Sequence, residues 1–526
     1  MQGHPGRRQM PGGLSGASAS PWLAAAPPDP RNEEVRHYSF GPLESRGLIA
    51  GWRGGQIAVI GAGALCAVAI LRYGFSFAAL AGAVLSLVAG ATVATLPING
   101  FTIEQWIPLI ARWGVIKATT KGRWISPLPG LGSAGAALAC LKGKGVFEGM
   151  EIMGTEVAGS DLPAGVIWDV TARTCTTILA VRADSFLLQD PAEQDRRASA
   201  WGGILASLSR ERSNVYRLQW VARSLPDPAR ECWAHLVDHG VKNAPPGSRR
   251  SYEALLEEVA CELQRHEILL AVSVRARSRS SLAKSAAASL AVLETRSIAP
   301  HLGEIGVGVI GVLSPAAVAS CIRRSYELPT GAHLSSESGY PARRYAPGWR
   351  SSASAAQPWP LAVAASWGEL HTDSTWHASY WISEWPRIHV AADFLGSLLV
   401  ASRLRHAVSV VMEPMSLSDA TRQVESDRIA DIADRELRRR AGFLLSARRR
   451  KEEESVVKRE AELADGHAHY RFSGYLTVSA ASKDDLDEAT QRAEQVASQA
   501  HIELRRLYGD QERAFACTLP LGRGLR

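Results

Sequence analysis

The chain has 526 residues, 46% of them hydrophobic and 21% charged, with 59 Lys and Arg against 52 Asp and Glu. That length carries two or three domains, and a mean hydropathy of -0.06 excludes both a chain made mostly of membrane spans and a disordered polyelectrolyte. The seven cysteines, at 66, 140, 175, 232, 261, 321 and 517, share no metal-ligand spacing and exclude a disulfide scaffold.

Residues 1–35, rich in Gly, Pro, Ala and Ser, read as a disordered tail. Their one apolar run, Trp22 to Ala26, is too short for a secretory signal. The next unit, 36–125, is dominated by Gly55 to Leu96, where the single charge is Arg72. A bilayer core takes roughly 20 apolar residues per helix, so this stretch predicts a two-helix transmembrane hairpin with spans at about 56–71 and 75–96. The glycines after Ile57 resemble a dinucleotide-binding turn, but Cys66 takes the place of the third glycine and no acid lies between Glu44 and Glu104 to bind a ribose. Gly82, Ser86 and Gly90 recur every four residues and form the expected packing face. Arg46 and Arg53 precede the hairpin, and Arg112, Lys117, Lys121 and Arg123 follow it, so both termini are expected in the cytoplasm. Trp52, Arg53, Arg72, Trp106, Arg112, Trp113 and Lys117 are the expected membrane-interface residues, with 99–117 as a helix on the membrane surface. The competing reading packs that helix on the soluble part.

Beyond the hairpin the pattern is α+β, with α/β-like modules. A first cytoplasmic module spans 126–328 and a second 361–526, separated by a polar loop or linker at 329–360. In the first, Val166–Arg182 reads as one or two strands and Asp190-Pro191-Ala-Glu193 as a helix start. Val215–Val221 is a strand, Tyr252–Gln264 a helix, Ile268–Val274 a strand, Leu282–Leu293 a helix and Ile305–Leu313 a strand, before a helix opening at Ser314-Pro315. In the second, His377–Val390 is a strand, Asp393–Arg403 a helix and Ala407–Met412 a strand. The charged stretch 417–463 follows, either a helical arm on the order of 70 Å long if unbroken or two helices with a break at Gly442. The unit closes with strand Tyr470–Ala480, a helix capped by Ser482, and strand Ile502–Arg506. The strand–helix rhythm repeats on either side of the linker, as in two related modules.

No Gly-x-x-x-x-Gly-Lys-Ser/Thr occurs, so the chain lacks the usual phosphate cradle of a nucleotide-driven motor. Gly306-Val-Gly308-Val-Ile-Gly311 lies within a predicted strand and reads as packing. His371, Asp373 and His377 carry metal-ligating groups at a spacing that fits no zinc motif, and Ser281 with Lys284 reads as a helix start instead of a nucleophile and base. No catalytic, cofactor or metal site is expected. Arg438, Arg439, Arg440 and Arg448, Arg449, Arg450 could contact phosphates of nucleic acid or lipid, although neighbouring acids favour a solvated helix.

Several segments carry a resemblance: Gln194-Asp-Arg-Arg with Trp201-Gly-Gly-Ile-Leu, Arg217-Leu-Gln-Trp220, Glu384-Trp-Pro386, Glu413-Pro414, Gly474-Tyr-Leu-Thr-Val478, and Tyr508-Gly509-Asp-Gln511 through Phe515 to Leu519-Pro520-Leu521. In this order they resemble the region that precedes the motor domain in ATPases of type IV secretion and conjugation. With a PrgI-like hairpin in front, residues 36 to 526 are similar to actinobacterial inner-membrane proteins of such machines. The resemblance implies a non-catalytic subunit at the bacterial cytoplasmic membrane. Its partners would be the bilayer, other inner-membrane subunits, further copies of itself and a separate ATPase, since the chain stops where a motor's phosphate loop would come. Gly509, Gln511, Phe515 and Pro520 are the family-like positions. The alternative is a membrane-tethered nucleic-acid-binding protein using the arginine clusters.

Overall fold

The structure is a computed structural model that describes residues 38, 54–72, 74, 76–98, 101–119, 122–125, 145–156, 162–183, 186–210, 213–226, 230–241, 244–260, 264–326, 358–401, 404–441, 456–457, 460–463 and 468–524. It begins with α1 (Gly54–Arg72) and α2 (Phe77–Thr95), a short β1 (Pro97–Ile98) and β2 (Phe101–Thr102) pair, and α3 (Ile103–Ala118). Among the described residues, thirteen further strands then form one sheet in which every pairing is antiparallel. The molecule is therefore of the mixed α+β class.

In chain order the first half gives β3 (Arg123–Ile125), β4 (Met150–Thr155), β5 (Ala164–Asp169), β6 (Thr174–Ala183), α4 (Pro191–Leu208), β7 (Val215–Pro226), α5 (Arg230–His239), α6 (Pro246–Ala260), β8 (Gln264–Arg275), α7 (Ser281–Glu304), β9 (Val307–Val312) and α8 (Pro315–Tyr326). The second half gives β10 (Ala362–Ala365), β11 (Leu370–Thr372), β12 (Thr375–Glu384), α9 (Gly396–Leu399), β13 (His406–Pro414), α10 (Leu417–Ala441), β14 (Tyr470–Ala480), α11 (Lys483–Gln499), β15 (Glu503–Arg506) and α12 (Gln511–Ala516).

The two halves have one topology. β6-α4-β7-β8-α7-β9 lies in the order β9-β6-β8-β7, and β12-α9-β13-β14-α11-β15 in the order β15-β12-β14-β13. Each is a βαββαβ unit of ferredoxin-like form, which explains the repeated rhythm without any parallel doubly wound sheet. Each unit also carries a preceding hairpin. β5 pairs the first half of β6 and β9 its second half; β11 and β15 do the same for β12. The segments 126–328 and 361–526 thus contribute strands to one sheet, joined where β7 pairs β13.

The register shows how closely the units match. The Thr176 hydroxyl meets that of Ser273 at 2.8 Å, and the Ser379 hydroxyl meets that of Thr477 at the same distance. Two residues before Ser273 and Thr477, Ala271 pairs Gln219 and Tyr475 pairs Ser409, which makes Gln219 and Ser409 equivalent. Trp220 and Val410, which pair directly, then straddle an approximate two-fold axis.

Alternation along the strands separates two faces. On one, α4 and α7 cover Leu179, Leu218, Leu270 and Val272, and α9 and α11 cover Tyr380, Val408, Leu476 and Val478. The other face is covered over the first unit by α8 and by residues 515–521, with Ile178, Val221, Leu269, Ile322 and Phe515 in one buried cluster. Side-chain caps start the helices where the sequence places them: the Ser280 hydroxyl accepts from Ala283 N–H, and that of Ser482 from Asp485 N–H.

Candidate functional site

Three features follow one another in contact: the apolar hairpin, α3, and the segment from Tyr508 to Gly524. The hairpin helices are 19 residues each with mean hydropathies of 2.0 and 2.1, long and apolar enough to cross a membrane. They pack through small residues. A Cβ on Gly63 would stand 3.1 Å from the Ser86 carbonyl oxygen, and one on Gly90 would stand 3.4 Å from Gly63 Cα. Ser86 donates its hydroxyl proton to Gly63 O at 3.1 Å, and the Gln56 carboxamide donates to Ala94 O at 2.8 Å. Gly82 faces Ile70 of α1, so Gly82, Ser86 and Gly90 all line the face turned to the partner helix. Outward-facing Leu65, Phe77 and Leu85 are 70–88% exposed. Arg72 is exposed at the end of α1, while Trp52 and Arg53 lie outside the described residues.

α3 starts beside the hairpin. Gln105 accepts the Thr102 N–H at 3.2 Å, closing the first turn. The Glu104 carboxylate lies against Gly55 at the start of α1, where a Cβ would stand 2.6 Å from its Oε2. Farther along, Trp106 stacks on Trp367 at 5.9 Å and Trp113 meets the same ring edge-on at 5.2 Å. Tyr508 completes the cluster, 5.7 Å from Trp106 and 6.0 Å from Trp367. Arg112 donates to Asp510 at 3.0 Å, and the Lys117 ammonium sits 4.9 Å from the Trp113 ring centroid. Trp106, Arg112 and Trp113, expected at the membrane interface, are thus turned towards the sheet unit.

From this clamp the chain runs as a strap over the sheet. Gly509 has φ +71° and an added Cβ would meet Trp367 at 3.0 Å and Trp113 at 3.4 Å, so only glycine suits both the turn and the contact. Buried Gln511 accepts from Ser379 N–H at 2.8 Å and donates to Ser379 O at 3.2 Å and Leu507 O at 2.9 Å. Glu512 accepts from Trp124 Nε1–H at 3.0 Å and Val146 N–H at 3.1 Å, and burial pushes its carboxyl above the usual range. Phe515 packs on His377 and Tyr326, and Pro520 is buried.

The strap ends on the seam. Thr518 donates to Thr477 Oγ1 at 2.9 Å. Gln219 donates to Ser409 Oγ, Cys517 O and Leu519 O at 2.8, 3.0 and 2.8 Å, and accepts Gly522 N–H at 2.7 Å. Arg217 donates to Gly522 O at 2.7 Å, and Arg523 holds Asp169 through Nε and Nη2 at 2.8 and 2.6 Å. The four family-like positions, Gly509, Gln511, Phe515 and Pro520, therefore belong to one strap. Nothing in the local pattern marks Trp367, Arg112 or Gln219 as its partners, because the contacts join residues up to about four hundred positions apart.

Other sequence candidates do not assemble. His371 pairs Trp376 and His377 pairs Leu370, so the two imidazoles lie on opposite faces. His377 is held by the hydroxyls of Thr372 and Ser479 at 2.7 and 2.8 Å. Asp373 has φ +43° and caps a turn by accepting from Leu361 and Ala362 N–H. Among the described residues, no three His, Cys, Asp or Glu side chains converge as metal ligands do. Lys284 pairs with Glu151 at 2.6 Å, and Gly308 and Gly311 lie in β9. Arg440 pairs with Glu436 on α10; the side chains of Arg438 and Arg439, and all of Arg448, Arg449 and Arg450, lie outside the described residues. No protein-family model matches the chain, and no curated protein is found to match it.

Proposed function

We propose that the chain is a membrane-anchored, non-catalytic component of a type IV secretion or conjugative machine that docks a separate ATPase at the bacterial cytoplasmic membrane. The hairpin spans the bilayer with both termini in the cytoplasm, and the sheet units form the docking platform. The observation that carries this reading is the path of the chain from hairpin to strap. Two exposed apolar helices lead into α3, whose Trp106, Arg112 and Trp113 grip Trp367, Tyr508 and Asp510 at the start of the strap. A platform held in this way is tied to its anchor by side-chain contacts as well as by a linker. The segments resembling the region ahead of a secretion motor include the strap itself, and the sequence holds no phosphate-loop motif of its own.

The full chain, expressed in its own host and extracted from membranes with detergent, is expected to bring down a phosphate-loop ATPase. The purified chain alone is expected to hydrolyse no ATP. Recovery in the soluble fraction, or robust turnover by the isolated chain, would overturn the proposal.

A further inference from the structure

The clamp uses only one side of α3. Trp106, Arg112 and Trp113 face the sheet unit, whereas Ile107, Ile110, Ala111, Gly114, Val115 and Ala118 are exposed on the other side. At 100° per residue these six positions span an arc of about 140°, the width of an apolar stripe that ordinarily lies against another surface. Ile107, Ile110 and Val115 are 56%, 54% and 62% exposed, and no residue of the arc carries a charge.

Resting on the reading of the hairpin as membrane-spanning, we propose that α3 lies in the plane of the membrane interface with this arc in the acyl boundary of the cytoplasmic leaflet. The occupant is lipid, and three observations select it. The helix begins at residue 103, eight positions after the last residue of α2, with Glu104 against Gly55 at the start of α1. Its first turn is therefore level with the end of the hairpin from which both termini leave. The arc is also apolar from end to end, with no side chain on it that donates or accepts a hydrogen bond, as suits an acyl partner. Exposed cations flank its far end: Lys117 over the Trp113 ring, and Arg123 after the helix, both placed to meet anionic headgroups. The interfacial face sought at the tryptophans is thus the opposite one. α3 is fixed on one side by the aromatic clamp and on the other by lipid, so it sets the height and tilt of the sheet unit over the bilayer.

The test is residue-specific photo-crosslinking of the full chain reconstituted in vesicles of phosphatidylethanolamine and phosphatidylglycerol. Benzoylphenylalanine is placed singly at 85 on the hairpin, at 107, 110 or 115 on α3, or at 237, an exposed apolar position of α5. The expected result is lipid adducts at 107, 110 and 115 that approach the yield at 85 and exceed that at 237 at least tenfold. Lipid adducts at 85 with only protein adducts, or none, at the three α3 positions would overturn this inference and leave the hairpin in the bilayer. Absence of lipid adducts at 85 would overturn both.

Discussion

At Ser379 the backbone of β12 passes from one neighbour to another: β11 pairs the strand up to His377, and β15 pairs it from Tyr380 onwards. The Gln511 carboxamide fills the interval like a short piece of strand, meeting both the N–H and the C=O of Ser379. A buried polar group left without a partner costs about 1–3 kcal/mol. Gln511→Ala is therefore expected to lower the unfolding midpoint by several degrees in a thermal melt, and Gln511→Glu, which loses the two donated bonds, by at least as much. Titratable groups make a second prediction. Burial, reinforced by Arg405 and His371, holds the His377 imidazole well below its usual range, and burial lowers that of His406 against the opposing pull of the Leu404 carbonyl. The unfolded chain takes up protons at these positions near pH 6.5 while the folded one does not, so stability falls as pH drops below about 6.5. Glu267 adds a later step. Burial alone would raise its pKa, but the Arg223 and Arg324 guanidinium groups, at 2.7 and 2.8 Å, bring it down to about 2. Its contribution is complete above the unfolded value near 4.5 and is lost as pH falls towards 2. Denaturant midpoints measured from pH 7 to 3 are expected to decline in both windows, with His377→Gln flattening the first and Glu267→Gln the second. None of these roles is legible along the chain, because each depends on a partner brought in by the sheet.

Elements were more legible than their contacts. The hairpin helices follow from hydropathy, with observed bounds of 54–72 and 77–95 beside the expected 56–71 and 75–96. β5 and β6 were readable from β-branched content, and α4 from Asp190-Pro191-Ala-Glu193. Local pattern failed where tertiary packing overrides propensity. α7 continues to Glu304 through Pro300, past the expected end at Leu293, because Ile298 and Leu302 on its last turns are buried in the core. The helix expected over 393–403 is reduced to Gly396–Leu399. For the charged stretch 417–463, where the pattern leaves one arm or two helices open, the contact of Arg428 of α10 with Glu460 at 2.7 and 2.8 Å selects the second, an outgoing helix and a return. Both partners are about half exposed, and such pairs contribute about 0–1 kcal/mol. Glu460→Gln is expected to leave the thermal midpoint almost unchanged. The hairpin gives a sharper contrast. Gly90→Val forces side-chain carbon into the contact with Gly63 and Val59, an overpacking that costs about 1–3 kcal/mol. Gly61→Val, where nothing lies within 4 Å of the new Cβ, is expected to be neutral in the same detergent unfolding titration.

Across the whole molecule the two βαββαβ units exchange their ends. β3, near the start, joins the sheet beside β10 of the second unit, and the strap that follows the second unit supplies Leu519 and Leu521 to the core over the first. Residues 1–340 and 341–526 expressed as two chains are therefore expected to co-purify through size exclusion, held by six backbone pairs between β7 and β13 and by the strap. Separate elution of the fragments would show that the continuous chain is needed to hold the seam. The seam also settles a problem that every open sheet faces. Within a single unit, β7 or β13 would be an outer strand of 12 or 9 residues with unpaired amides and carbonyls, a template on which another chain can add. Pairing the two removes both templates at once. Among the described residues, the strands of this sheet left with one neighbour, β3, β4, β9 and β15, are only three, six, six and four residues long, and Arg123, Glu151, Glu503 and Arg505 stud three of them. For a chain held, as proposed, in the two dimensions of a membrane, where copies would meet far more often than in solution, short and charged edges would keep encounters from ripening into a continuous cross-strand aggregate.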